Sequence, residues 1–233
     1  LAINYEKTHQ VLFKASNKKF DEQNYHLMMG TSVLNINNET KFLGLTLDSN
    51  IDFRLHLKGL AKKLNLNLLM MRTIRPFLDD KSMIDIYYTF FYPHLIYSIE
   101  FWGHACKTNL KPIKVLQKAA LRVIARVKPG KHVSSNFEKL RIMPLTMLFE
   151  FRLLKLLLKT HTKEEILTLL PGHNYNTRTK SLKTIQANNN RGGRSLLYTG
   201  VKLCNRYLLE DLTGSGSDTM FSLAERLWAY AKQ

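Results

Sequence analysis

The sequence predicts an α+β fold that is mainly α: a short N-terminal β hairpin region, a helical bundle, then a basic, loop-rich C-terminal region. Three observations carry that expectation. Turn formers bracket short apolar runs before residue 50, as strands require. From Asp52 to about Lys128 apolar residues recur every three or four positions, the period of a helix that buries one face. Beyond Pro171-Gly172 the chain turns polar, and from Gly172 to Leu209 it holds seven basic residues and no acidic one.

Composition limits what such a fold can do. The 233 residues include 35 Lys+Arg against 18 Asp+Glu, a net charge of +17, and 45% are apolar. That apolar share is typical of a globular chain. No apolar run approaches the roughly 18 residues of a spanning helix, so no membrane partner is expected. Two cysteines cannot build a disulfide framework and fit a reducing, intracellular setting, in cytoplasm or nucleus. The first residue is Leu1 and no basic-then-apolar leader follows it, as expected of a piece of something longer. The charge excess attracts polyanions, with nucleic acid the first candidate; a ribosomal or membrane-surface protein, or a plain solvated basic face, is the alternative.

The elements follow in order. Val11-Leu12-Phe13 is a brief apolar run. Lys41 to Asp48, between Asn37-Asn38 and Asp48-Ser49-Asn50, predicts a strand pair or hairpin. Gly44 inside it suggests a bulge or the close approach of another backbone. Leu57, Leu60, Ala61, Leu64, Leu68 and Met71 form the stripe of a first helix that should stop near Arg75-Pro76. A second helix should open at Asp79-Asp80, where carboxylates cap free amides. Its body, Met83 to Trp102, is apolar on nearly every side, which predicts a buried centre kinked or broken at Pro93.

A third helix is expected over about Asn109 to Val127. Ile113, Leu116, Ala120, Val123, Ile124 and Val127 fall on one face; Lys111, Lys114, Lys118, Arg122 and Arg126 fall on the other, within an arc of about 120°. No acidic residue interrupts that stripe to relieve its repulsion, so it reads as a phosphate-facing surface rather than an ordinary solvated face. Asp52 to Lys131 contains 15 basic and 5 acidic residues, a net +10, which concentrates the charge on the bundle. A further helical region, about Leu145 to Leu170, repeats the basic stripe with Arg152, Lys155, Lys159 and Lys163. Thr213 to Ser217 reads as a flexible linker. A last amphipathic helix near Met220 to Ala231 could dock through Phe221, Leu227 and Trp228. The expected divisions are residues 1–50, 51–130, 131–171 and 172–233.

Catalytic signals weaken on inspection. Phe77-Leu78-Asp79-Asp80 has the form of a polymerase signature, an aromatic followed by paired aspartates, but two-metal phosphoryl transfer needs a further carboxylate. Helix capping already accounts for both aspartates. His104 and Cys106 lack enough partners for zinc, and Arg191-Gly192-Gly193-Arg194 is a single copy of an RNA-binding type of segment. No phosphate-cradling glycine loop or nucleophile motif is present. No catalytic residue and no metal ligand is expected in this chain.

Taken in order, several segments resemble the C-terminal part of the reverse transcriptases of non-LTR retrotransposons, the jockey-like LINE elements. Asn4-Tyr5-Glu6-Lys7-Thr8 with Val11-Leu12-Phe13 is similar to the family's asparagine-x-x-lysine-threonine turn and strand. Phe42-Leu43-Gly44-Leu45-Thr46-Leu47-Asp48, with His56 beyond, is similar to its primer-gripping hairpin. Leu95 to Gly103 and Leu116 to Arg122 resemble its thumb helices. His173 to Arg178 and Tyr198 to Asn205 resemble two later segments, with Val201 and Cys204 departing from the more usual proline and tryptophan. The resemblance implies the end of a palm, a thumb and a C-terminal region, with the catalytic aspartates upstream of Leu1; the C-terminal zinc knuckle of some relatives is not expected here. It places Lys7 near the incoming nucleotide and Phe42, Leu43 and Gly44 at the primer terminus. Lys58, Lys62 and the third-helix stripe would then contact phosphates of an RNA–DNA hybrid. The upstream palm and fingers would be partners, and Mg2+ the cofactor of the full-length polymerase. A non-catalytic nucleic-acid-binding or scaffolding remnant is the alternative.

Overall fold

The strand signals before residue 50 become three two-stranded ladders in the computed structural model, which describes residues 8–14, 25, 27–161, 165, 193 and 195–207. β1 (Gln10–Val11) runs parallel to β4 (Ile36–Asn37), and β2 (Met28–Met29) pairs antiparallel with β3 (Ser32–Val33). The longest ladder is the antiparallel hairpin of β5 (Glu39–Phe42) and β6 (Leu45–Asp48), in register from Glu39–Asp48 to Phe42–Leu45. Its two-residue turn has φ of 44° at Leu43 and 80° at Gly44. Two positive φ values suit the turn whose twist matches the flanking strands. Gly44 therefore marks neither a bulge nor the approach of another backbone. It is a turn residue, and what approaches it is a side chain: a Cβ there would lie 3.2 Å from the Tyr97 hydroxyl.

The chain turns from hairpin to helix on the buried carboxylate of Asp48. Its oxygens accept the amides of Asn50 (3.1 Å), Asp52 (3.1 Å) and Phe53 (2.9 Å). Those bonds hold Ile51 and Phe53 at φ of 54° and 57°, a conformation that bulky side chains rarely adopt. α1 (Arg54–Ile74) follows and buries Leu57, Leu60, Leu64, Leu68 and Met71. Each such side chain contributes roughly 1.5–3 kcal/mol on leaving water. The helix tightens into a 3-10 turn over Arg75–Phe77, where Pro76 stands.

Asp79 caps α2 (Asp80–Ile86), its carboxylate accepting the Ser82 amide at 3.0 Å. The apolar body beyond differs from expectation. It is divided into a π-helical segment (Tyr87–Phe91), α3 (Tyr92–Ile96) and α4 (Ile99–Trp102), with Ser98 at φ 51° in the break. One stripe is buried, Met83, Tyr87, Phe91, Leu95, Ile99 and Trp102, while Tyr88, Phe90, Tyr97 and Phe101 are exposed. A helix touching its neighbours along one side buries only the side chains on that side, however apolar the rest.

α5 (Lys107–Ile124) packs along α1 as its main neighbour, with Arg54 near Asn109 at one end and Arg72 near Arg122 at the other, and it continues through Pro112. Its buried residues are Ile113, Gln117, Ala120, Leu121 and Ile124. Leu116, Val123 and Val127 are only partly buried, so the inward face is turned about half a residue's breadth from the expected one. Gln117 is the surprise, a polar side chain 1% exposed. Its amide nitrogen donates to Tyr87 Oη (3.1 Å) and the Met143 carbonyl (2.9 Å), and its oxygen accepts the Leu145 amide (2.9 Å). α6 (Ser134–Lys139), α7 (Leu145–Thr160) and α8 (Leu196–Tyr207) complete the described helices. The main core runs from Leu45 of the hairpin to Leu148 of α7, across residues 50 and 130. A smaller one joins Leu153, Leu154 and Leu157 of α7 to Val201, Leu203 and Cys204 of α8. The fold is α+β and mainly α.

Candidate nucleic-acid interface

Two long helices laid side by side leave a seam, and here the seam is basic. Between α1 and α5 lies an open groove of about 660 Å³ with Arg54, Lys58 and Lys62 along it. Ala61, Pro112, Val115 and Leu116 supply its apolar lining. Further along the same pair of helices, Arg72 and Arg122 line a second recess of about 240 Å³ beside Pro129 and Gly130. From Arg54 to Arg72, at 1.5 Å per residue, the cationic track extends about 27 Å.

The expected contact residues divide by environment. Lys58, Lys62, Lys111 and Lys118 are exposed, and none meets a carboxylate among the described residues. Lys114 is half-buried. Arg122 donates through Nε to the Lys131 carbonyl at 3.1 Å. Arg126 stands beyond the end of α5 at φ 53°, 4.0 Å from the Asp80 carboxylate. Arg54 pairs with Asp52 at 3.4 Å. The second basic stripe is partly offset, since Arg152 Nε meets Glu100 at 2.8 Å; on α8, Arg206 meets Glu150 of α7 at 3.4 Å. Lys155 and Lys159 are exposed.

One exposed residue of α1 has no explanation inside the fold. Gly59 sits in the second turn of α1, exposed, one residue after Lys58 and three before Lys62. Nothing lies within 4 Å of the Cβ it lacks. Glycine in a helix interior costs about 1 kcal/mol relative to alanine, and its usual compensation is the close approach of another backbone or a ligand.

Hairpin and bundle are joined at more than the Asp48 corner. The Tyr97 hydroxyl donates to the Leu43 carbonyl, and the Thr46 amide donates to His56 Nδ1 at 3.4 Å. The His56 ring lies 6.4 Å from that of Trp102. Burial, with Lys63 nearby, lowers the His56 pKa below its ordinary value and favours the neutral ring. Beyond this joint the turn projects Phe42 and Leu43, 61% and 74% exposed.

The paired aspartates do not fit a metal centre. Asp79 is held by Ser82, whose hydrogen bonds lower its pKa. Asp80 binds the Arg75 guanidinium. That buried guanidinium also donates to the carbonyls of Val123 (2.9 Å), Ile124 (2.9 Å) and Leu78 (2.6 Å), satisfying the open end of α5. Among the described residues no group of three or more His, Cys, Asp or Glu could hold a metal ion. His104 packs edge-on against Phe149 at 4.8 Å. Burial pushes the Cys204 thiol up to about 12. No described helix is long and apolar enough to cross a membrane.

Lys7, the linker at 213–217 and the helix expected at 220–231 lie outside the described residues, as do His173 to Arg178. Of Arg191 to Arg194 only Gly193 is described. Reading the sequence for function missed Arg54, Gly59, Arg72 and Tyr97. A glycine inside the first helix between two lysines was the one available signal; Tyr97 meets its partner 54 residues away.

Over 99 residues the chain is 34% identical to an RNA-directed DNA polymerase from the mobile element jockey of Drosophila funebris, a match covering 40% of this chain and 11% of that protein. It is 33% identical over 98 residues to a probable RNA-directed DNA polymerase from transposon BS of Drosophila melanogaster, covering 40% and 10%. The match thus spans about a tenth of the length of these relatives. No family model matches the chain, and no solved structure matches it. Over some 40% of its length, then, the chain is similar to a region of RNA-directed DNA polymerases of non-LTR retrotransposons.

Proposed function

We propose that this chain is the part of an RNA-directed DNA polymerase that holds the RNA–DNA primer–template. In this reading the α1–α5 track contacts phosphates and the β5–β6 turn, Phe42-Leu43-Gly44, contacts the primer terminus. The observation that carries it is the run of exposed lysines on two packed helices, Lys58 and Lys62 of α1 along the groove between them and Lys111 and Lys118 on α5, on the body to which the hairpin is tied. A polymerase must grip whatever sequence it copies, so its holding surface works through phosphates, which fix a duplex in place without reading it. Gly59 supports the same surface, because a helix without a side chain there lets a nucleic-acid backbone come closer. The upstream palm and fingers are the partners in this reading. They supply the catalytic carboxylates and with them Mg2+, since Asp79 and Asp80 are engaged elsewhere.

Fluorescence anisotropy of the 233-residue chain with a labelled RNA–DNA hybrid, and with each strand alone, tests the reading. The expected result is tighter binding of the hybrid. Equal affinity for hybrid and single strands would refute it in favour of a non-catalytic nucleic-acid-binding or scaffolding protein. The chain alone is expected to extend no primer; metal-dependent extension would overturn the assignment of chemistry to other residues.

A further inference from the structure

Tyr97 lies where a continuous helix would not put it. The chain leaves the α-helical conformation at Tyr97 (ψ 113°) and re-enters through Ser98 at φ 51°. This break is braced rather than loose: the fully buried Trp102 donates from Nε1 to the Tyr97 carbonyl at 2.8 Å, and the Ser98 carbonyl accepts the Phe101 amide at 3.0 Å. The bracing does not serve the core, since the Tyr97 side chain is 51% exposed. What the break achieves is to aim the phenol at the hairpin turn. The hydroxyl bonds the Leu43 carbonyl, and the ring edge fills the space next to Gly44 that a side chain would need. Leu43 is itself held at φ 44°, with its side chain in solvent. Strain of that kind persists only where surrounding contacts impose it.

We propose that Tyr97 is a positioning residue: it sets the angle of the Leu43-Gly44 turn relative to α1 and α5, so that a primer end at the turn stays in register with the phosphates held along the seam. This rests on the holding function proposed above. The hydroxyl touches no substrate in this scheme and acts through the Leu43 carbonyl.

The test uses the full chain and two probes, an RNA–DNA hybrid with a recessed DNA 3′ end and the same hybrid with both ends closed by loops. The wild-type chain is expected to prefer the recessed end. Tyr97→Phe keeps the ring and removes the hydroxyl. It should lower that preference about three- to tenfold, the effect of one net hydrogen bond. Affinity for the closed hybrid and its salt dependence should not move, which separates positioning from a general structural role, and the urea midpoint should fall by no more than the one hydrogen bond removed. A Tyr97→Phe chain that keeps the full end preference overturns the proposal, as does a wild-type chain that binds both probes equally. A wild-type chain that fails to bind even the closed hybrid refutes the holding function itself, and that probe tells the two failures apart.

Discussion

Replacing Lys58, Lys62, Lys111 and Lys118 together by alanine tests the holding surface directly. Lys58 and Lys62 stand about 6 Å apart along α1, and Lys111 and Lys118 about 10 Å apart along α5. At 3.4 Å per nucleotide of one strand, the α5 pair can reach phosphates about three steps apart. Each phosphate neutralised by a lysine releases counterion and adds about 0.9 to the slope of log affinity against log salt. Losing four contacts should therefore flatten the slope by roughly 3 to 4. Between 50 and 200 mM salt that corresponds to about a hundredfold smaller loss of affinity in the variant than in the wild type. All four side chains are exposed, and exposed substitutions usually change stability by less than about 0.5 kcal/mol. The assay is anisotropy with the closed RNA–DNA hybrid at five or more salt concentrations, with urea unfolding as the control for folding. The pair Lys155→Ala and Lys159→Ala on α7 should leave the slope in place. An unchanged slope in a folded quadruple variant would refute the assignment of phosphate contacts to this seam.

Other substitutions separate fold from function. Gly59→Ala should raise stability by about 1 kcal/mol, because nothing lies within 4 Å of the added Cβ, while weakening hybrid binding; improved stability with unaltered binding would remove Gly59 from the surface. Gln117→Met keeps the length of the side chain but orphans the Tyr87 hydroxyl, the Met143 carbonyl and the Leu145 amide. At about 1 kcal/mol or more for each group left unpaired, the loss in urea unfolding should be at least about 3 kcal/mol, and a change below 1 kcal/mol would show that water replaces the amide. His56 and His94 have pKa values lowered by burial and by Lys63. The unfolded chain takes up protons more readily, so stability is complete above the unfolded value near 6.5 and falls as pH drops below it. Melting curves between pH 8 and 5 should show that fall, and His56→Gln should reduce it.

Some of this architecture was legible because the residues that carry it are local. The α1 stripe, the Asp79 cap and the hairpin flanks each act within a few positions of themselves. The interrupted helix was less legible, although its signal was present. Met83, Tyr87, Phe91, Leu95 and Ile99 recur every four residues, and on an α-helix of 3.6 residues per turn such a row drifts by about 40° at each step. The wider π turn and the break at Ser98 counter that drift and keep the row on one face. Gln117 lies one turn from both Ile113 and Leu121, so its inward position was readable; its polarity argued against it. The partners that make burial tolerable are 26 to 30 residues away, and nothing in the local pattern announces them. The seam shares that limit. Charge counting located cations on both helices, but only packing shows that Lys58 and Lys62 face a groove walled by Pro112 and Leu116.

The distribution of strain connects the fold to its proposed use. Leu43, Ile51 and Phe53 are three non-glycine residues in the left-handed region within eleven positions, and each such conformation costs about 1 kcal/mol or more. The turn itself calls for the φ of Leu43, but a linker that merely joined a hairpin to a helix would not need those of Ile51 and Phe53. Each is instead held in place by a specific contact: Leu43 by the Tyr97 hydroxyl, Ile51 and Phe53 by the ring of amides around Asp48. The same contacts fix the direction in which α1 leaves the hairpin, and α1 carries half of the cationic track. A surface that recognises phosphates alone gains no alignment from base identity, so its alignment has to come from the rigidity of the parts that present it. The joint between hairpin and α1 is where this chain provides that rigidity, at a cost in backbone energy that the buried carboxylate and the phenol offset.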